Sequence, residues 1–206
     1  MKKFLVAFGL LLSLVLNAQS RFGGGFSLGL TTSQISGDNL SGFNRPGAMA
    51  GVFGTYSFND KNWFVGEINF IQKGSYKSPK KDDPTKYSLC LNYAEVPLLY
   101  RFMPIGNRFL FEVGPTLGYL INYTERSELG DVNLNVVFRK YEAGLLAGIN
   151  YKAGNGWLVN FRVQQSVLAV RPHQGDATFR LNQGQYNTLL CLNLRYDFGL
   201  RDKDNK

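Results

Sequence analysis

The run Leu190-Cys191-Leu192-Asn193-Leu194-Arg195-Tyr196-Asp197-Phe198 alternates apolar and polar residues without a break. Successive side chains of a strand point to opposite sides. Leu190, Leu192, Leu194, Tyr196 and Phe198 therefore share one face, and Cys191, Asn193, Arg195 and Asp197 the other. In a soluble sheet the apolar face would be the core. In a transmembrane barrel it touches lipid, and the polar row fills the lumen.

The rest of the chain decides between the two. Eight such segments follow one another: Phe22 to Thr32, Pro46 to Phe58, Trp63 to Gly74, Tyr87 to Phe102, Arg108 to Tyr123, Val137 to Lys152, Gly156 to Val170 and Tyr186 to Phe198. The connections after the second, fourth and sixth are tight turns, Asn59-Asp60-Lys61, Pro104-Ile105-Gly106-Asn107 and Ala153-Gly154-Asn155. Those after the first, third, fifth and seventh are longer and polar: Ser33 to Arg45, Ser75 to Lys86, Thr124 to Val136 and Arg171 to Gln185. A soluble sandwich has no reason to keep its long loops at one end. An outer-membrane barrel does, with short periplasmic turns and long outside loops. The expected fold is all-β, an eight-stranded antiparallel up-and-down transmembrane barrel.

The beginning of the chain fits export. Lys2 and Lys3 precede an apolar stretch from Phe4 to Leu16, and Ala18 before Gln19 offers a cleavage point. The expected organisation is a signal peptide over 1–18, a barrel domain over 19–200 and a charged tail over 201–206. No later stretch has the ~18 uninterrupted apolar residues that a spanning helix needs. The formal charge of +8 falls to +6 once Lys2 and Lys3 are removed. The basic residues are scattered, and some cluster in a loop, at Lys77, Lys80, Lys81 and Lys86. For an exported chain this argues against nucleic acid. It leaves a solvated loop, or attraction to lipopolysaccharide or an acidic envelope partner.

Turning the apolar rows outward sends Glu67, Glu95, Glu112, Glu142 and Asp197 into the lumen, with Arg101, Arg108, Arg162 and Arg195. Unpaired charge is costly there, so these groups are expected to pair. Eight strands leave an interior that side chains fill. A structural plug is thus expected, in preference to a proton or ion path. Outward Phe58, Phe70, Tyr100, Tyr119, Tyr123, Tyr141 and Tyr151 read as interface girdles.

In the fourth segment the apolar residues change parity, from Leu89, Leu91 and Tyr93 to Val96, Leu98, Tyr100 and Phe102. A β-bulge near Ala94 or Glu95 would keep both sets on lipid, with Pro97 just beyond. Cys90 and Cys191 then face the lumen from opposite walls, too far apart for the ~7 Å a disulfide tolerates. Two buried free thiols are expected.

Catalytic chemistry finds little support. The single histidine, His173, lies in the last long loop, with Ser166 on the preceding strand. A Ser–His pair needs a third group to orient the imidazole, and Asp176 and Glu128 enter that role only by assumption. No metal-ligand spacing appears. Gly23-Gly24-Gly25 opens a strand, so it is no phosphate loop. No enzyme activity, cofactor or metal is expected.

Several segments together resemble the PorT-like outer-membrane β-barrel family of Gram-negative bacteria. They are Gly29-Leu30-Thr31-Thr32-Ser33-Gln34, the stretch from Gly47 to Phe53, Gln72-Lys73-Gly74, Leu91-Asn92-Tyr93-Ala94-Glu95-Val96-Pro97-Leu98-Leu99 and Gly114-Pro115-Thr116-Leu117-Gly118-Tyr119-Leu120. The segment beginning at Tyr93 is the most specific, and Ala94 departs from the long aliphatic residue usual there. The resemblance implies an outer-membrane barrel and, through the family's namesake, a link to type IX protein secretion. It carries over no catalytic residue. The expected role is structural or interactive, as an accessory to secretion or another envelope complex. The alternatives are a surface adhesin or ligand-binding barrel using the loops from Ser33 to Arg45 and Ser75 to Lys86, and a lipid-modifying hydrolase.

Overall fold

The computed structural model describes residues 21–38, 40, 42–79, 81, 84–104, 106–128, 130–131, 137–172 and 184–200. The expected signal peptide and the tail from 201 lie outside them.

Eight long strands form one closed sheet: β1 (Phe22–Ser36), β2 (Arg45–Asn59), β3 (Asn62–Lys77), β4 (Tyr87–Phe102), β5 (Phe109–Ser127), β7 (Tyr141–Gly154), β8 (Trp157–Ser166) and β9 (Tyr186–Asp197). A two-residue piece, β6 (Gly130–Asp131), folds back on the end of β5. Every pairing is antiparallel, the eight long strands pair in sequence order, and β1 pairs with β9 to close the barrel. This is the expected eight-stranded up-and-down barrel.

Alternation makes the wall. In β9, Cys191, Asn193, Arg195 and Asp197 are buried, while Leu192 and Leu194 are about half exposed. Leu30, Ile68 and Leu117, at 73%, 64% and 59% exposure, stand on the outer face of three different strands. A soluble domain does not leave apolar rows of this extent in water; a membrane barrel requires them. The expected girdle residues Phe58, Phe70, Tyr100, Tyr119, Tyr123, Tyr141 and Tyr151 all lie outside. At the tight β7–β8 turn, Gly154, Asn155 and Gly156 all take positive φ, the left-handed backbone such a hairpin demands.

The upper wall departs from expectation. β1 runs on to Ser36, β3 to Lys77 and β5 to Ser127, each taking residues assigned above to loops. These polar stretches are held as wall: Ser33 Oγ donates to Gly74 O at 3.0 Å, and Ile35 is fully buried. Conversely, β7 starts only at Tyr141 and β8 stops at Ser166. The residues between these ends and the loops cap the barrel mouth, with Arg139 N donating to Val170 O at 2.7 Å.

The expected bulge in β4 is absent. Leu89, Leu91, Tyr93, Glu95, Leu99 and Arg101 are all buried, in one unbroken parity. The extra residue sits across the ladder in β5, where Tyr93 pairs with Leu120 but Asn92 pairs with Asn122, leaving Ile121 unmatched. Leu89, Leu91 and Tyr93 face inward because the upper lumen is apolar, packed with Ile35, Met49, Ile71, Leu120, Phe138, Val170 and Leu189. Cys90 is consequently half-buried on the outer face beside Asn92, not in the lumen, whereas Cys191 is buried inside. Both thiols are free.

Outside, the apolar row ends sharply. Gln72 Nε2 donates to Asn92 Oδ1 at 3.0 Å, and Asn92 Nδ2 to Asn122 Oδ1 at 2.6 Å. On the opposite wall Thr188 Oγ1 donates to Gln165 Oε1 at 2.8 Å. Such ladders belong to water or headgroups. From Phe102 to Asn92 the strand rises roughly 33 Å, at ~3.3 Å per residue. A tilt of 35–45° reduces this to about 25 Å, the height of an outer-membrane apolar band.

Candidate functional site

The chemistry-bearing residues converge in the middle of the lumen. Glycines on β1, β2 and β7 make room for them. A Cβ on Gly29 would meet Asn193 Oδ1 at 1.9 Å, and one on Gly51 would meet Asn69 Oδ1 at the same distance. The thin wall of β1 and β2 thus accommodates long side chains from β3, β4, β8 and β9.

The lower cluster joins three guanidinium groups, Arg101, Arg162 and Arg195, to three carboxylates, Glu67, Glu112 and Asp197. Arg162 lies 2.6 Å from Glu67 Oε1 through Nη2 and 2.8 Å from Glu112 Oε1 through Nε. Arg101 approaches Glu112 at 3.2 Å and Asp197 at 3.5 Å. Arg195 reaches Glu67 at 2.8 Å, and its guanidinium lies 4.2 Å from the centre of the Phe53 ring. None of these side chains is more than 3% exposed. Opposite charges balance within the cluster, as burial requires.

One layer higher, Lys73 Nζ bridges Glu95 at 2.6 Å and Glu142 at 2.8 Å. Gln164 Nε2 donates to Glu95 at 2.7 Å, and Asn187 Nδ2 to Glu142 at 2.6 Å. At the mouth, Arg171 pairs with Glu125 at 2.8 Å and lies 4.2 Å over the Phe138 ring. The opposite end is stopped by Met103, Leu110 and Leu158, with Trp63 and Leu200 against them.

The structure thus brings together Glu67, Glu95, Glu112, Glu142, Asp197, Arg101, Arg162 and Arg195 inside. It does not bring Arg108 there. Arg108 lies exposed in the turn before β5 and donates from Nη1 to Tyr151 Oη at 3.2 Å, because β5 begins one residue later than expected. Three interior charges were missed: Lys73, Glu125 and Arg171. Lys73 continues the inward parity of Glu67, Asn69 and Ile71, so the alternation alone was enough to find it. Glu125 follows the β5 bulge, which flips parity, and Arg171 lies beyond the end of β8.

Among the loop lysines, Lys77 ends β3 half-buried, Lys81 and Lys86 are exposed, and Lys80 lies outside the described residues. So do His173 and Asp176. Ser166 is fully buried, with its Oγ accepting from Asn187 N at 2.9 Å. It offers no accessible nucleophile. Among the described residues no group of histidine, cysteine and carboxylate side chains is arranged to hold a metal.

The family model described as "Outer membrane protein beta-barrel domain" matches residues 17–168. The chain belongs to that family. Membership places this barrel in the outer membrane of a Gram-negative bacterium, in contact with its lipid. Among solved structures, Ail, the attachment invasion locus protein of Yersinia pestis, is similar at 14% identity. The match covers 86% of this chain and 99% of that one, with a TM-score of 0.50. Neisserial surface protein A (NspA) is similar at 13% identity over 86% and 96% of the two chains, TM-score 0.49. OprG from Pseudomonas aeruginosa is similar at 14% over 86% and 94%, TM-score 0.41. The likeness to Ail concerns the fold. A search of curated proteins returned no match.

Proposed function

We propose that this outer-membrane barrel is a sealed interaction platform without enzymatic activity, acting as an accessory to protein secretion or another envelope complex. Its surfaces, not its interior, do the work. The observation that carries this reading is the packed lumen. The lower cluster is shut off by apolar side chains at the periplasmic end, and the mouth by the apolar layer with Arg171 and Glu125. The buried charges Glu67, Glu95, Glu112, Glu142, Asp197, Arg101, Arg162 and Arg195, with Lys73, serve as structural fastening.

The PorT-like resemblance points to type IX secretion as the specific setting. Lys77 at the end of β3, with Lys80, Lys81 and Lys86 after it, supplies positive charge toward lipopolysaccharide phosphates or an acidic partner. A mild-detergent pull-down of the full chain, with mass spectrometry, should recover envelope secretion proteins, and gene deletion should retain cargo in the cell. Normal secretion together with lost cell attachment would replace this reading with the adhesin one.

A further inference from the structure

The lipid-facing wall is dented over β5, β7 and β8. Val113, Ala147 and Val163 pair across β5, β7 and β8, so the smallest of the three stands between two branched side chains. The next outward row toward the periplasm is Phe111, Ile149 and Phe161. Between these flanks the wall sinks to the Ala147 methyl and to Gly148. Gly148 is held bare from the inside, since a Cβ there would lie 3.0 Å from Arg162 Cγ and 3.1 Å from Glu112 Oε1. The dent is an outward groove of about 400 Å³, lined almost wholly by apolar atoms. That volume falls in the range of small-molecule sites.

A cation stands at the periplasmic end of the same strands. Tyr151 is one outward position beyond Ile149, its ring centre 5.4 Å from that of Phe109, and its hydroxyl accepts from Arg108 Nη1. The turn is fixed by Lys152 N, which donates to Arg108 O at 2.8 Å. From Ala147 to Tyr151 the strand rises about 13 Å. An exposed guanidinium at the membrane border, an aromatic hydroxyl beside it and an apolar slot running away from both into the hydrocarbon match one molecule type. It is anionic at its head and aliphatic behind.

We infer that this wall holds one phospholipid of the periplasmic leaflet, with its phosphate at Arg108 and Tyr151 and one acyl chain in the groove over Ala147. The short-turn end of the barrel selects the leaflet. Arg108, which takes no part in the lumen charges, thereby has a role of its own.

The test uses the full chain in vesicles of phosphatidylethanolamine and phosphatidylglycerol carrying a trace of phospholipid with a photoreactive acyl chain. Labelled peptides are read by mass spectrometry. Label should concentrate on the β5, β7 and β8 peptides over the opposite wall at Leu30, Val52 and Ile68. Ala147→Phe fills the groove from outside without touching the lumen, and Arg108→Gln removes the cation. Arg108→Gln should lower the groove label about five-fold, the effect of one basic residue at an anionic lipid surface; Ala147→Phe should lower it too, with label at the opposite wall unchanged in both. Heat-modified gel mobility verifies that both variants are folded. Even labelling around the belt, or label indifferent to both variants, would overturn the inference. So would a dimer in detergent that Ala147→Phe dissolves, which would assign the groove to a second copy.

Discussion

Below the Gln72–Asn92–Asn122 ladder the barrel is inside-out, with Ile68 and Leu117 outward and Glu67 and Arg195 within. Above it the same strands are ordinary protein, with Leu89, Leu91 and Leu189 within and Asn92, Asn122 and Arg126 outward. Between β3 and β4 the pairing runs through the ladder without a break, and β5 answers it with a single bulge. What changes is the medium outside. Hydrocarbon rewards apolar side chains, and water and headgroups reward polar ones. The lower lumen, denied apolar residues by that pattern, is instead held by ion pairs.

Lys73 sits where the two regimes meet, and its removal should cost most. It is the cation between Glu95 and Glu142, and Lys73→Met would leave two carboxylates facing each other without it. The expected loss is about 3–5 kcal/mol, read by urea unfolding from lipid vesicles. Converting Glu95 and Glu142 to glutamine in the same chain should restore most of it. An unchanged midpoint for the single variant would show that the lower regime does not depend on balanced charge.

The upper regime should behave as a soluble core. Leu91→Ala is expected to cost about 3 kcal/mol through the cavity it leaves, whereas Leu98→Ala, on the lipid face, should cost far less. Equal effects would erase the distinction between the regions. The outer face offers the complementary comparison. Ile68→Arg, midway between the Phe102 row and the ladder, should cost about 2–4 kcal/mol, and Asn92→Arg, on the ladder itself, about 0–1 kcal/mol. Both are read from the same unfolding titration.

The reversal also explains what the sequence made legible. Period-two alternation is a strong signal while one face meets lipid, so β9 and the lower halves of all strands could be read residue by residue. The parity change in β4 is equally plain in the letters, but two causes produce it. A bulge shifts the register, and a change of solvent inverts the preference without shifting anything. Leu89, Leu91 and Tyr93 follow the second cause, and only the pairing of Asn92 with Asn122 separates them. Arg108 was misplaced for a related reason: at a strand end, one residue of boundary decides inside from outside. The charge cluster was largely legible because burial leaves few ways to place Glu67 or Arg162. Arg171 was not, since a residue past a strand end carries no parity to read.

The smallest effect is expected where polar chemistry lies wholly above the border. Asp38, in the segment after β1, accepts from Leu40 N at 2.9 Å. Burial pushes its carboxyl above the ordinary range; hydrogen bonds from Ser75 and the backbone, and last of all the charge of Arg171, offset this only in part. The folded chain then holds this proton more tightly than the unfolded one. Folding is penalised above the raised value, and the penalty fades as pH falls toward the unfolded value near ~4. Asp38→Asn keeps an oxygen for Leu40 and removes the charge. It should make the barrel slightly more stable at pH 8, leave it unchanged at pH 4, and flatten the difference between them. If unfolding midpoints of the variant and the parent chain instead coincide at both values, Asp38 meets enough water to ionise freely. The protein-like regime then ends below the β1 tip, at the level of Ile35.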